Sequence, residues 1–341
     1  MKEVKNMSKL TTITKYREFR TILFLVILFL IVGLVNSDFL SSGNLYNATK
    51  NSLLYIVMAI GMTFVLLTGE IDISIGSVLG LSAAVSGVIL RDGGSIFLAV
   101  IAAIGIGVVV GLINGFGVTK LKISSFIMTL GMLEIVRVTQ VIFTNGQWVE
   151  NLPSSFKHIS QMSVLGINLL ALIVLVIMIF VHLFLLNSKK GRYFAAIGDN
   201  VDGAVLVGIP VARFKIMAFV INSVCASIAG LIFASQVGFI STTAGSGIEM
   251  TVIAAAVLGG VSLSGGIGSI LGASIGAIIM SSINSALVFL KVPAFWNSAI
   301  SGSLLIIIVV VDTLISRRNS KRTKKERLNA RILNYQEEVR S

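Results

Sequence analysis

Long apolar segments, separated by short polar ones, occupy most of the 341-residue chain. A helix that crosses a membrane needs about 20 mainly apolar residues, since each residue rises about 1.5 Å through a hydrocarbon core about 30 Å thick. The pattern predicts roughly ten membrane-spanning helices, at 21–35, 52–68, 75–90, 96–118, 123–143, 169–186, 214–236, 250–261, 267–290 and 295–315. Several segments are short, which is typical of half-helices or re-entrant segments. The chain is therefore predicted to be an all-α, polytopic membrane protein.

Composition supports this prediction and excludes several other classes. Hydrophobic residues make up 55% of the chain and charged residues 12%, whereas soluble domains have about 25% charged residues. The net charge of +12 does not indicate nucleic-acid binding, because Lys and Arg collect at the chain ends and in two internal loops. The single cysteine, Cys225, excludes an intrachain disulfide and a multi-cysteine metal site. His158 and His182 are isolated, and no metal site is expected.

The distribution of Lys and Arg predicts the orientation, because cytoplasmic loops carry an excess of both. With a cytoplasmic N-terminus, the loops on the outside hold only Lys50, Arg91, Lys157 and Lys291. Both termini are then cytoplasmic, as an even number of spans requires. We expect a cytoplasmic N-terminal segment (1–20), a permease domain (21–315) with a cytoplasmic loop (187–213), and a basic cytoplasmic tail (316–341). The basic composition of the tail predicts an anchor that is attracted to anionic membrane lipid, with a partner-binding segment as the alternative.

Two carboxylates lie between two apolar spans in the segment GEIDISIGS, at 69–77. An ionisable group at membrane depth is costly and suggests a function, such as a proton relay. The structural alternative is that Asp72 or Ser74 caps the following helix by accepting bonds from its first backbone N–H groups. The residues leave both interpretations open.

Other polar side chains lie inside the spans. Glu134 and Arg137 are three residues apart on one helix face, so we expect an ion pair, with direct solute contact as the alternative. Four amides in apolar surroundings could join helices or bind solute hydroxyls: Asn114, Asn222, Asn284 and Asn297. The chain has no G-x-x-x-x-G-K-[ST] phosphate loop and no recognisable nucleophile with its base. It is predicted not to be an enzyme.

Glycines recur at four-residue spacing, in 107–111–115 and in 268–272–276, which predicts close helix packing. The run 75–80 also resembles the run 267–272, with Asp72 and Ser264 at equivalent places before them. This similarity is consistent with duplicated halves, or with chance.

The longest cytoplasmic loop, 187–213, contains small and apolar residues that a simple linker would not need. Residues 201–207 are predicted to form a short surface helix that offers Val205 and Leu206 to a partner's groove.

The segment GEIDISIGS resembles the signature of the ribose and galactose permease family of bacterial ABC importers. Further motifs resemble that family in order and spacing: GLING at 111–115, MTLG at 128–131, TNGQ at 144–147, GR at 191–192, AIGDN at 196–200, GI at 208–209 and IAAAVLGGVSLSGG at 253–266. The resemblance covers roughly residues 39–312 and implies the architecture of vitamin B12 importer permeases.

Within the family, four segments resemble the Lsr-type autoinducer-2 importers, near their C-type permease: QWVENLP at 147–153, GDN at 198–200, FASQVGFI at 233–240 and KVPAFWN at 291–297. The resemblance implies import of autoinducer-2, a small polyhydroxylated furanosyl compound. Ribose-, galactose-, xylose- and rhamnose-type permeases share much of this background and remain the alternative. A secondary transporter that uses Asp72 or Glu134 for ion coupling is an alternative from a different class.

The resemblance also implies partners in the bacterial cytoplasmic membrane: a cytoplasmic ABC ATPase, an extracytoplasmic solute-binding protein, and a second permease, identical or distinct. No cofactor is expected on this chain, since ATP and Mg would be used by the ATPase. Residues 198–208 would form the coupling helix that docks in the ATPase, with candidates Gly198, Asp199, Asn200, Ala204, Leu206 and Gly208. Candidates for the solute pathway are Asp72, Ser74, Asn114, Thr129, Asn145, Glu249, Trp296 and Asn297.

Overall fold

The structure, a computed structural model, describes residues 17–293, 296, 299–300, 302–304, 306–307, 309–310 and 313. Almost all of its regular elements are helices. The bounds of the helices are α1 Arg17–Val35, a 3-10 helix Ser37–Leu40, α2 Ser42–Leu67, α3 Ile75–Arg91, α4 Ile96–Thr119, α5 Ser125–Phe143, α6 Ser154–Ile159, α7 Leu169–Asn187, α8 Lys189–Asp199, α9 Val201–Leu206, α10 Val211–Val237, α11 Ile248–Leu258 and α12 Ile270–Phe289. A small antiparallel hairpin, β1 Ser163–Val164 and β2 Ile167–Asn168, precedes α7.

The all-α polytopic fold is confirmed. Six of the described helices, α2, α4, α5, α7, α10 and α12, are long and apolar enough to cross a membrane. Three shorter apolar helices lie at Thr21–Val35, Ile75–Arg91 and Ile248–Leu258. With 11 residues, α11 is about 16 Å long and crosses about half of the hydrocarbon core. It is a half-helix of the kind that the short apolar segments predicted.

Some predicted segments differ from the structure or fall outside it. The span expected at 52–68 begins ten residues earlier, at Ser42, because the Ser41 side chain accepts a hydrogen bond from the N–H of Asn44 and starts the helix there. About half of the expected span at 295–315 lies outside the described residues, and those that are described are helical. The expected N-terminal segment and basic tail also lie outside them, apart from 17–20.

Burial separates the inner helices from the periphery. Helix α2 is buried along most of its length and packs against α10 and α12. By contrast, Val174 alone is buried among the described residues of α7, whose remaining side chains are apolar almost throughout. A helix of this kind faces lipid, because apolar side chains gain nothing by leaving the hydrocarbon core.

The glycine ladder of α4 brings that helix against α10, as predicted. A Cβ atom added at Gly107, Gly111 or Gly115 would overlap the backbone of α10, at Ser223, Val220 and Ile216 respectively. The backbones therefore approach as closely as they do because glycine has no side chain. This ladder sets how closely α4 and α10 approach each other.

The second glycine ladder, at 268–272–276, agrees with the predicted helix packing only in part. Gly276 packs against the backbone of α11 at Ala255, and Gly272 packs against Gly259 just after that helix, but Gly268 precedes α12, which begins at Ile270. The repeated runs are therefore not equivalent in structure, because α3 begins at the first residue of its run, Ile75, and α12 begins three residues into its run.

Candidate functional site

The break between α2 and α3, residues 68–74, is a non-helical segment inside the protein. Asp72 and Ser74 are fully buried there. The Asp72 carboxylate accepts bonds from the backbone N and the Oγ of Ser74, at 2.9 and 2.6 Å, and from Nδ2 of Asn222 at 3.0 Å. The Ser74 Oγ in turn accepts a bond from Nδ2 of Asn114 at 2.9 Å. Side chains from α4 and α10 thus close a polar cluster around the break.

Side chains of helix α5 accept hydrogen bonds from backbone N–H groups of the same break. The N–H of Ile73 donates to Oγ1 of Thr129 at 3.1 Å, and the N–H of Ile71 donates to Oγ of Ser125 at 3.3 Å. Buried backbone donors need such partners, because an unpaired one costs about 1–3 kcal/mol. The break is therefore held by three neighbouring helices.

The predicted capping by Asp72 or Ser74 needs correction. Ser74 is the N-cap residue of α3 and makes no side-chain capping bond to a described residue. Asp72 instead accepts from the N–H of Ser74 itself, in a local turn just before the helix. The Ser74 hydroxyl is occupied by its bonds with Asp72 and Asn114, so it does not cap.

The structure brings four pathway candidates together and leaves the others apart. Asp72, Ser74, Asn114 and Thr129 meet in the cluster, and each is fully buried. Their hydrogen bonds stabilise the non-helical segment between α2 and α3. Of the others, Asn145 is exposed just beyond the end of α5, Trp296 is half-exposed, Glu249 is buried in the first turn of α11, and Asn297 lies outside the described residues.

A second polar cluster joins α5 to α11. The predicted ion pair is confirmed, since Arg137 Nη1 lies 3.3 Å from Glu134 Oε1. Arg137 Nη2 also lies 3.9 Å from Oε1 of Glu249, whose side chain is only 8% exposed. Sequence reasoning missed this link, because nothing in the local pattern places residue 137 beside residue 249.

Beside Arg137 is an open cavity of about 210 Å³. Its walls come from α5 and from the loops that follow α5 and α10. The lining residues are Arg137, Val141, Gly146, Thr242, Thr243 and Ser246.

The loop between α7 and α10 contains two helices, α8 and α9, where the resemblance implied one coupling helix over 198–208. Gly198 and Asp199 close α8, and Asn200 caps α9 by accepting a bond from the N–H of Gly203 at 2.9 Å. The short helix predicted at 201–207 is confirmed as α9. Ala204 is buried.

The end of α9 presents apolar side chains outward. Leu206 is 87% exposed, and its neighbours Val205 and Val207 are also exposed. Gly208 has a positive φ of 79° in open space, which favours glycine over any residue with a Cβ.

The end of α8 touches two non-helical breaks. A Cβ at Gly198 would overlap the carbonyl oxygen of Leu67, at the start of the α2–α3 break, and the backbone of Gly265 and Gly266, between α11 and α12. The two breaks also meet, since the N–H of Gly266 donates to the Leu67 carbonyl at 3.0 Å. No local pattern in the sequence predicts this contact.

Known proteins share sequence similarity with most of this chain. Residues 44–309 match the family described as branched-chain amino acid transport system / permease component. Over 314 residues the chain is 38% identical to autoinducer 2 import system permease protein LsrC of Escherichia coli (strain K12 / DH10B), covering 91% of this chain and 92% of that protein. It is 40% identical over 314 residues to the protein of the same name from Salmonella typhi, covering 91% and 90%. No solved structure matches the chain.

Proposed function

Since the chain belongs to the family of branched-chain amino acid transport system permease components, we propose that it is the permease subunit of an ATP-driven importer of autoinducer-2. The observation that carries the solute assignment is the 38–40% identity, over 91% of the chain, to autoinducer 2 import permeases. The chain would act in the bacterial cytoplasmic membrane and carry out no covalent chemistry.

The proposed partners are a cytoplasmic ATPase, an extracytoplasmic binding protein and a second permease. The exposed apolar side chains of Val205, Leu206 and Val207 support docking of the ATPase at α9, because an apolar surface of this kind suits a groove in another protein. ATP and Mg would be bound by the ATPase.

The contact of Gly198 with both breaks supports a route for coupling. Closure of the ATPases on ATP would move α9 and, with it, the end of α8. Because the end of α8 touches the backbone of Leu67, which precedes the α2–α3 break, and of Gly265 and Gly266, which precede α12, its displacement would move both of these segments directly. The solute site would then open alternately to the two sides of the membrane.

The hydrogen bonding of Asp72 favours this class over an ion-coupled transporter. A relay carboxylate needs a path for its ion, whereas Asp72 is fully buried and accepts three bonds within the chain. We therefore propose that Asp72 stabilises the break.

The test is uptake by proteoliposomes that contain this chain with its partner permease and ATPase, supplied with the binding protein. We expect ATP-dependent accumulation of labelled autoinducer-2, and none with an ATPase variant that cannot hydrolyse ATP. D-Ribose at the same concentration is the second probe. Preferential uptake of ribose would favour the monosaccharide alternative, and uptake that follows an ion gradient without ATP would refute the proposal.

A further inference from the structure

Helix α5 exposes a charged residue where a membrane span should be apolar. Glu134 lies at the midpoint of this 19-residue helix, and its side chain is 62% exposed. Charged residues at this depth face other protein or a water-filled space, because hydrocarbon cannot solvate them. The lipid-facing helix α7 provides the contrast, since it has no Asp, Glu, Lys or Arg and exposes side chains such as Val176. The exposed face of α5 is therefore turned toward protein or water.

Arg137 lies between two carboxylates on different helices. It contacts Glu134 on its own helix at 3.3 Å and Glu249 of α11 at 3.9 Å. Glu249 Oε1 also accepts a bond from the N–H of Gly247 at 3.2 Å, while its Oε2 is buried without a hydrogen-bond partner among the described residues. The Arg137 side chain is 31% exposed, and a guanidinium has five N–H donors, more than these two carboxylates use.

The cavity beside Arg137 is also lined by hydroxyl-bearing residues of the loop between α10 and α11. Thr242, Thr243 and Ser246 line it together with Arg137. The loop is held against α5 because Nε2 of Gln140 donates to the carbonyl of Ser241 at 3.2 Å. The volume, about 210 Å³, is below the range of about 300–1,000 Å³ of pockets for drug-sized ligands, which suits a small solute.

We propose that Arg137, Glu134 and the hydroxyls of Thr242, Thr243 and Ser246 form this chain's half of the solute site, facing the second permease. This inference rests on the proposed function and assigns the polar contacts of the same pathway. Guanidinium, carboxylate and hydroxyl groups together can donate to and accept from the hydroxyls of an uncharged, polyhydroxylated solute. Glu134 and Glu249 disfavour an anionic solute at the same place.

The first experiment measures autoinducer-2 uptake by the complete importer with Arg137→Gln, Arg137→Lys and Glu134→Gln. We expect Arg137→Gln to raise KM about 10- to 100-fold, the range for a lost hydrogen bond to a charged group. Arg137→Lys keeps the charge but loses the planar donor set, so we expect an intermediate KM. Thr139→Val is the control, because Thr139 is exposed on α5 but donates to its own helix at Ile135.

The second experiment leaves Arg137 unchanged, so it does not depend on whether variants of that residue fold. Glu134→Cys and Thr243→Cys are each made in a Cys225→Ser background, which removes the chain's single cysteine, and are treated with a charged, water-soluble thiosulfonate. We expect both cysteines to react, and autoinducer-2 with its binding protein to slow the reaction. The control is Val176→Cys, at a mid-span position 66% exposed on α7, which should stay unreactive in lipid.

The outcomes separate this inference from the proposed function. If the wild-type importer accumulates autoinducer-2 while Arg137→Gln and Glu134→Gln keep the wild-type KM, the solute site is elsewhere and importer function stands. If Glu134→Cys is as unreactive as Val176→Cys, the α5 face points to lipid and the inference is overturned. Failure of wild-type uptake would instead refute the proposed function.

Discussion

Asp72 is a buried carboxylate among apolar spans, and its oxygens accept hydrogen bonds within the chain. Its three hydrogen bonds come from two residues, Ser74 at the end of the α2–α3 break and Asn222 on α10. Hydrogen bonds to a carboxylate are stronger than bonds between neutral groups, and the apolar surroundings strengthen them further. The carboxylate therefore holds a non-helical segment where water cannot satisfy its backbone.

This role predicts opposite results for two substitutions at Asp72. Asp72→Ala leaves three buried donors without their acceptor, at about 1–3 kcal/mol each, so we expect a lower melting temperature and less protein in the membrane. Asp72→Asn keeps one acceptor oxygen, and Asn222 can turn its amide so that its own Oδ1, unpartnered among the described residues, accepts from the new amide. We expect Asp72→Asn to retain ATP-dependent uptake.

Thermal unfolding of the purified importer and uptake by proteoliposomes check both variants together. Normal abundance with abolished uptake in Asp72→Asn would point to an ion-coupling role and contradict the structural one.

At the scale of elements, glycine sets the distances between packed backbone segments. Gly198 allows the end of α8 to touch the carbonyl of Leu67 and the loop at Gly265 and Gly266. A side chain at this position would push α8 away from both breaks. Contact of backbone with backbone transmits displacement well, because no flexible side chain intervenes.

We therefore expect Gly198→Ala to uncouple the importer. The added methyl group overlaps the backbone at Leu67 and at Gly265 and Gly266, so α8 must shift, and uptake should fall at least about tenfold while ATP hydrolysis continues. Gly105→Ala in α4 is the matched control, because a Cβ there meets no described atom within 4 Å. Uptake per ATP hydrolysed is the measurement, and an unchanged ratio in Gly198→Ala would contradict the coupling route.

The exposed end of α9 gives a separate prediction. Leu206→Asp places a charge on the apolar surface proposed to dock in the ATPase, so co-purification of the ATPase should fall strongly. Leu165→Asp is the control, since Leu165 is 98% exposed at the tip of the β-hairpin. Leu206 is a better test position than Ala204, whose side chain is buried and whose replacement would disturb packing inside the chain. Equal recovery of the ATPase with both variants would remove α9 as the docking site.

At the scale of the whole molecule, the orientation in the membrane can be tested with the same two positions. The β-hairpin and α8 lie at opposite ends of α7, a 19-residue apolar helix, and the distribution of Lys and Arg predicts that α8 is cytoplasmic. In a Cys225→Ser background, Leu206→Cys should react with an impermeant maleimide only in inside-out vesicles, and Leu165→Cys only in right-side-out vesicles. The reverse labelling would place α9 where no cytoplasmic ATPase could reach it.

The sequence by itself determined the class of fold and the family, because both follow from local properties. The apolar runs predict spans one at a time, and the motifs at 69–77 and 253–266 need no knowledge of what they contact. The close spacing at Gly107, Gly111 and Gly115 was also predicted, since residues four apart share a helix face. The pairing of Glu134 with Arg137 follows from the same periodicity.

Tertiary structure alone decided which distant groups meet. Asp72 and Asn222 are 150 residues apart, and Arg137 meets Glu249 from another helix. Several polar residues in the spans could have been the partner in each case, and hydropathy does not distinguish among them. The choice depends on how close α4, α5, α10 and α11 approach and how each is rotated about its axis, which is a property of the packed bundle rather than of any one segment.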